Sequence, residues 1–250
     1  MLSRTVASPV PVTEAPEVTL FIACYNEAPN IVATLDTVSA ALRRLAVSCE
    51  IIVIDDASTD ASAALVRDYA LAHPELALRL HVNRHNRGLA RNFSEAACLG
   101  RGRYFKLVCG DDVESEETLV NVLSRRGQAE LILPYHLDCP GKSPLRMFLS
   151  RLFTRLVNGL SGHRVHYYNG LPLVLRQQVL RFGAETSSFG FQAELVTRLL
   201  DEGVTYEEVQ VEVRERVQGA SHALTMRNFF AVGRTLLLIG WRRLIRKFKR

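Results

Sequence analysis

What this 250-residue chain lacks narrows it first. Its five cysteines, Cys24, Cys49, Cys98, Cys109 and Cys139, form no CxxC pair and have no histidine-rich cluster beside them. That excludes a disulfide frame or a zinc site as the organising feature and points to reduced thiols in a cytoplasm. Neither GxGxxG nor GxxxxGK(S/T) occurs, so the chain has no dinucleotide fingerprint and no P-loop. There is no apolar run of the roughly 20 residues that a bilayer span needs; residues 229–241 are too short and are broken by Arg234. The opening MLSRTVASPVPVTEAPE lacks the apolar core of a signal peptide, and its prolines predict a flexible leader over 1–17. With no internal repeat and no low-complexity linker, residues 18–220 read as one unit.

What is present is a globular composition whose charge is unevenly placed. The net charge is +5, yet RRLIRKFKR (242–250) carries six Lys/Arg and no acid. Without that segment the remainder is close to neutral, so basicity belongs to the tail 221–250 rather than to a nucleic-acid-binding face. Along the chain, apolar runs alternate with helical patterns. VTLFIAC (18–24), EIIVIDD (50–56), LALRLHV (76–82), YFKLVC (104–109) and LILP (131–134) predict strands, the first two buried on both sheet faces. Helices are predicted over 28–45, 60–73, 88–100 and 116–126. This alternation implies an α/β fold with a mostly parallel, doubly wound sheet. Further on, residues 143–162 place Leu145, Phe148, Leu149, Leu152, Leu156 and Leu160 on one helical stripe, with Arg146, Arg151 and Arg155 off it. HYYNGLPL (166–173) reads as a loop, 176–182 and 189–200 as helices, and VTYEEVQVEVRER (204–216) alternates like a strand.

Ligands of an open parallel sheet bind beyond the carboxyl ends of its strands. Here those ends read CYNE (24–27), DDAST (55–59), NRHNRG (83–88) and CGDD (109–112). One such cluster is ordinary turn chemistry; four in register converge on one crevice. Asp111 and Asp112 offer hard oxygen ligands suited to Mg²⁺ or Mn²⁺, which bridge few carboxylates to a substrate's phosphates.

In this order and spacing, VTLFIACYNEAPNI, EIIVIDDASTD, NRGLARN and YFKLVCGDDV resemble the inverting family 2 glycosyltransferases of the GT-A fold, strongly over 18–135 and more weakly to 220. The resemblance implies a nucleotide-sugar-binding half (18–135), an acceptor half (136–220), and a UDP- or GDP-linked donor held with a divalent metal. It places Tyr25 on the nucleobase, with a core tyrosine as the competing reading. It sets Asp56 on the base, while Asp55 caps the turn. Glu27 falls at the crevice floor, and Arg87 near the nucleotide or diphosphate, unless it is simply a turn arginine. Asp111 and Asp112 become the metal and ribose–diphosphate acids. Cys109 departs from the pattern, standing where many relatives have the first acid of Asp-x-Asp, and a neutral thiol supplies no anionic oxygen.

For the second half, inverting transfer calls for a base that deprotonates the acceptor. The resemblance points to Glu194 in GFQAEL, with Asp138 as a rival and a solvated helix acid as the alternative reading. A phosphate acceptor would already be anionic. HYYNGLPLVLRQQVL and RERVQGASH resemble segments of polyprenyl-phosphate sugar synthases, which marks Asn169, Arg214, Arg216 and Ser221 as acceptor-side residues, with His222 beside them. The implied function is sugar transfer to a lipid-linked or glycan acceptor at the inner face of the plasma membrane. The basic, aromatic tail would lie on the membrane surface or dock on the domain. A non-catalytic nucleotide-sugar-binding scaffold and a nucleotidyltransferase are the rival readings; the latter needs a glycine-rich loop near the first strand, which CYNEAPN is not.

Overall fold

In a computed structural model of the chain, residues 15–136, 143–182, 190–212, 214 and 226–248 are described. Four strands, β1 (Val18–Cys24), β2 (Cys49–Asp55), β3 (Ala77–Val82) and β4 (Tyr104–Cys109), run parallel and alternate with α1 (Ile31–Leu45), α2 (Ser62–Ala72) and α3 (Leu89–Leu99). After α4 (Glu116–Leu123) and β5 (Leu131–Tyr135) come α5 (Pro144–Ser161), β6 (Leu173–Leu175), α6 (Arg176–Phe182), α7 (Phe191–Asp201), β7 (Tyr206–Gln210) and α8 (Met226–Phe248). The seven strands form one sheet in the order β3-β2-β1-β4-β6-β5-β7. β6 is antiparallel to both β4 and β5, while β5 and β7 pair in parallel.

The alternation of side chains along a strand explains the unbroken apolar runs. Leu20 and Ile22 of β1, with Ile51 and Val53 of β2, enter one core layer together with Leu35 and Val38 of α1 and Leu119 and Val122 of α4. Phe21, Ile52 and Ile54 face the other way, into a second layer with Phe93 of α3, Val157 of α5, Val196 of α7 and Ile239 of α8. Helices therefore cover both faces, as the α/β reading predicts.

Three features depart from the sequence pattern. α1 starts at Ile31 rather than Ala28, because Asn30 and Ile31 both donate their N–H to the Glu27 carbonyl (2.9 and 2.8 Å) and turn the chain first. β6 arises within a segment read as a loop running into a helix; three residues carry no periodicity, and pairing with β4 and β5 makes the strand. Among the described residues of the alternating stretch 204–216, Tyr206–Gln210 form a strand, and Val211 and Glu212 lie past its end.

The helix α5 is the larger surprise. Its inner face is Thr154, Val157 and Ser161, and most of its leucine stripe is turned outward.

Candidate active site

The four polar strand ends meet and are bonded to one another. From the β1 end, Asn26 N–H donates to Ser58 Oγ (2.9 Å), Glu27 N–H to Ser62 Oγ (2.9 Å) and Ala28 N–H to Asp60 Oδ2 (3.0 Å), while Asn26 Oδ1 accepts from Thr59 N–H (2.8 Å). Asp55 Oδ1 accepts from Ser58 N–H (2.9 Å), so Asp55 caps its own turn as predicted. Gly110 N–H donates to Ala23 O (2.9 Å), drawing the CGDD turn onto the end of β1. A Cβ at Gly110 would lie 2.9 Å from Ala23 O and 3.2 Å from Ile31 Cδ1, so only glycine permits this approach.

Backbone strain gathers at the same place. Among the described residues, five non-glycine positions have positive φ, and Asn26 (53°), Ala57 (65°), Asp112 (53°) and Leu171 (55°) lie in these turns or in the loop before β6. Left-handed non-glycine residues persist only where the surroundings fix them, and they concentrate at functional sites.

Asp56 is 5% exposed and both of its oxygens are engaged. Oδ1 accepts from Asn83 Nδ2 and Arg87 N–H, and Oδ2 from Gly88 N–H, each at 2.8 Å. Burial alone would raise its carboxyl, but the donors from Arg87, Asn92, Asn83 and Gly88 outweigh that and hold it below the ordinary carboxylate range. Asp56 thus fastens the NRG turn. Arg87 gives Asp56 its backbone and pairs its guanidinium with Glu95 of α3. Tyr25 is 49% exposed in the turn after β1, so it is no core tyrosine. Glu27 Oε2 accepts from Asn30 Nδ2 (2.9 Å) at the start of α1.

Asp112 is held from α1, by residues the motif reading passed over. Thr37 Oγ1 donates to Asp112 Oδ1 (3.0 Å), and Asp112 N–H donates to Thr34 Oγ1 (3.0 Å). Nothing in the sequence of α1 sets Thr34 and Thr37 apart from its other β-branched residues, Ile31, Val32 and Val38. Arg214 Nη1 stands 3.8 Å from Asp112 Oδ2, and Arg214 N–H donates to Val113 O (2.9 Å). Arg214, expected on the acceptor side, is thus joined to the CGDD turn. Asp111 is part-buried, and its charge adds to the burial that pushes the Cys109 thiol well above its ordinary range. Cys109 stays a neutral thiol. Among the described residues no three His, Cys, Asp or Glu side chains form a cage. Two adjacent carboxylates still fit a hard divalent ion whose remaining ligands are water and phosphate.

The loop before β6 is tied to this turn through a buried ion pair. Lys106 Nζ, fully buried in β4, donates to Glu114 Oε1 (2.7 Å) and to Leu171 O (2.8 Å). Leu171 N–H donates to Gln192 Oε1 at the start of α7 (3.2 Å). Asn169 lies in this loop with its Oδ1 buried and without a hydrogen-bond partner, beside Gly170, whose absent Cβ would fall 1.8 Å from Pro134 O. Glu194 is 2% exposed on α7, and its Oε1 stands 3.0 Å from Arg198 Nη2. It is a buried, paired carboxylate and not a solvated one. Asp138, Arg216, Ser221 and His222 lie outside the described residues.

The sequence profile described as Glycosyl transferase family 2 matches residues 19–171. The chain belongs to this family. Similar proteins include the succinoglycan biosynthesis protein ExoO of Rhizobium meliloti, 34% identical over 155 residues covering 60% of this chain and 42% of that protein. Another is the dodecaprenyl-phosphate galacturonate synthase of Rhizobium johnstonii, 26% identical over 191 residues, 71% of this chain and 54% of that one. The chain thus spans about half the length of these curated relatives. Among solved structures, the mannosyltransferase PcManGT of Pyrobaculum calidifontis, in complex with GDP-Man and Mn²⁺, superposes with a TM-score of 0.63 at 22% identity, covering 98% of this chain and 67% of that one. The family 2 chain accordingly has the GT-A fold, with the crevice at the carboxyl ends of β1 to β4.

Proposed function

We propose that this chain is an inverting, metal-assisted glycosyltransferase moving a sugar from a UDP- or GDP-sugar to a lipid-linked acceptor, a polyprenyl phosphate in the first instance, or to a glycan. The observation that carries the reading is the CGDD turn. Gly110 presses it onto the CYNE end, Asp112 is strained and held by Thr34 and Thr37, and Arg214 stands beside it. In this reading an acceptor oxygen attacks the anomeric carbon while the bond from that carbon to the diphosphate oxygen breaks. The electron pair leaves on the nucleoside diphosphate. Tyr25 stacks the base, Asp56 and Glu27 shape the nucleoside end through the turns they hold, and Arg214 balances negative charge beside Asp112. Asp111 and Asp112 are the residues that would hold Mg²⁺ or Mn²⁺, and the ion would supply positive charge to offset that of the leaving diphosphate. Cys109, a neutral thiol, would add no anionic oxygen to that pair.

Glu194 is the base candidate on α7. Its pairing with Arg198 favours the version with a phosphate acceptor, which is already anionic and needs no proton removed. Asn169, Arg216 and Ser221 are assigned to the acceptor side from the sequence, and the unpartnered buried oxygen of Asn169 supports a polar role for it there. Such an acceptor places the enzyme peripherally on the inner face of the cytoplasmic membrane, with the tail against the lipid.

Incubating the full chain with UDP- and GDP-sugars, Mn²⁺ and a polyprenyl phosphate tests this. Acceptor-dependent release of nucleoside diphosphate that disappears in Asp112→Ala is expected. Donor binding with no turnover on any acceptor would make the chain a binding scaffold instead.

A further inference from the structure

Of sixteen exposed large hydrophobic residues among those described, ten lie on α5 and α8. On α5 they are Leu145, Phe148, Leu152, Leu156 and Leu160, spaced by three or four residues and therefore on one face. On α8 they are Phe230, Leu237, Trp241, Leu244 and Ile245, also on one side. The opposite faces anchor both helices to the same body. Val157 of α5 and Ile239 of α8 sit in one core layer, Arg242 Nη2 donates to Thr197 Oγ1 (2.7 Å), and Arg246 pairs with Asp201. The two helices also touch each other, with Arg243 Nη1 donating to Gly159 O (2.6 Å). Two neighbouring helices that rest their inner faces on one body turn their outer faces the same way. The outer faces form a single apolar surface.

Neither helix contributes an acid to that surface. The two helices carry nine Arg/Lys and no Asp or Glu, whereas the whole chain is only +5. Arg151, Arg155 and Arg234 are exposed beside the stripes. A second copy docking through the same two helices would set cation against cation with no acid to answer it. A nucleic acid would leave the apolar centre unsatisfied. An apolar centre with a cationic rim and an exposed tryptophan suits the boundary between anionic headgroups and acyl chains. The α5 stripe spans about 22 Å at 1.5 Å per residue, shorter than the roughly 30 Å hydrocarbon core, and no described helix is long and apolar enough to cross a membrane. The geometry suits lying on the surface.

We infer that α5 and α8 together form a two-helix platform that binds the surface of an anionic bilayer, and that α5 fixes the acceptor-side loop relative to it. The second part rests on the lipid-acceptor reading above; the first does not. The link is Asn158, on the last turn of α5. Its Nδ2 donates to Val165 O (3.0 Å), and its Oδ1 accepts from Val165 N–H (3.1 Å) and from Tyr168 Oη–H (2.7 Å). Tyr168 is fully buried and immediately precedes Asn169. Seating α5 on lipid therefore sets the height of the acceptor loop above the headgroups.

The test is co-sedimentation of the full chain with vesicles of phosphatidylcholine alone or with phosphatidylglycerol, for wild type, Leu152→Glu/Leu156→Glu and Leu237→Glu/Trp241→Glu. All four positions are exposed, and thermal unfolding checks that each variant folds. Wild type is expected to bind the anionic vesicles, less so at high salt, and each double variant to bind about tenfold more weakly or worse. Wild type staying in the supernatant, or the α5 variant binding like wild type, would overturn the platform. So would a wild-type dimer that the same substitutions dissociate. Nucleoside diphosphate release with a short, water-soluble phosphate acceptor is measured in parallel. Vesicle binding without any turnover sinks only the enzymatic reading, and unchanged turnover with lost vesicle binding isolates the platform.

Discussion

Replacing Glu50 by glutamine separates the stability of the sheet from the chemistry at its far end. Glu50 is 1% exposed near the amino end of β2, opposite the crevice. Its Oε1 accepts from Thr19 Oγ1 (2.7 Å), Gly102 N–H (3.3 Å) and Arg101 N–H, and its Oε2 from Arg79 Nη2 (2.6 Å). Glutamine best keeps the first three by leaving its carbonyl oxygen there, which points its amide N–H₂ at the Arg79 donor. One charge-assisted bond is lost and a donor–donor contact replaces it, while Arg79, partly exposed, can turn to water. Hydrogen bonds to charged groups contribute about 1.5–3 kcal/mol each, so a loss of about 2–3 kcal/mol is expected. In a chain of this size that lowers Tm by roughly 5–10 °C. The pH dependence gives a second check. Burial by itself pushes the Glu50 carboxyl up, but the Arg101 N–H, Thr19 and the guanidinium groups of Arg79 and Arg101 outweigh it and hold it below the ordinary glutamate value of 4.5. A carboxyl lowered on folding stabilises the protein above its unfolded pKa, and that stabilisation is lost as pH falls through the folded value. The gap between wild type and Glu50→Gln in urea denaturation should therefore be full at pH 7 and shrink in the acid range. Equal stability at pH 7, or a gap that does not change with pH, refutes the argument, and donor binding should be unaffected throughout.

Two further substitutions address the crevice. Gly110→Ala forces a Cβ against the Ala23 carbonyl and Ile31; a cost of about 1–3 kcal/mol is expected for such overpacking, together with weakened nucleotide-sugar binding in a thermal-shift titration, and intact donor binding would show that the CGDD turn is not part of the site. Cys109→Asp adds an anionic oxygen beside Asp111 and should lower the Mn²⁺ concentration needed for half-maximal activity, whereas unchanged metal dependence would show that position 109 faces away from the ion.

Much of the architecture was legible from periodicity, because β1 to β4 are long, apolar and separated by amphipathic helices. β6 was not, since Leu173–Leu175 is a strand only by virtue of its two neighbours. In the site, the polar strand ends could be recognised from their residue types and order. Thr34 and Thr37 could not be tied to Asp112, because the contact joins residues 75 or more positions apart and is set by how α1 packs. The Glu194–Arg198 pair has helical i,i+4 spacing and was readable in principle. The leucine stripe of α5 teaches a different lesson: periodicity identifies an apolar face without saying what the face meets.

The short antiparallel β6 has a consequence for how the chain can be made. It lies between β4 and β5, so the nucleotide-side strands reach β5 and β7 only through three residues that are synthesised some forty positions after β5. A nascent chain ending at residue 135 holds β5 with no neighbour to pair with, and it exposes one edge of β4 until Leu173–Leu175 emerges. The two parts of the sheet are joined late, by the insertion of β6, and β7 then extends the outer edge beside β5. The two halves of the molecule are therefore not modules that could be swapped at residue 135, and a transplant between relatives would have to carry β6 along with its loop.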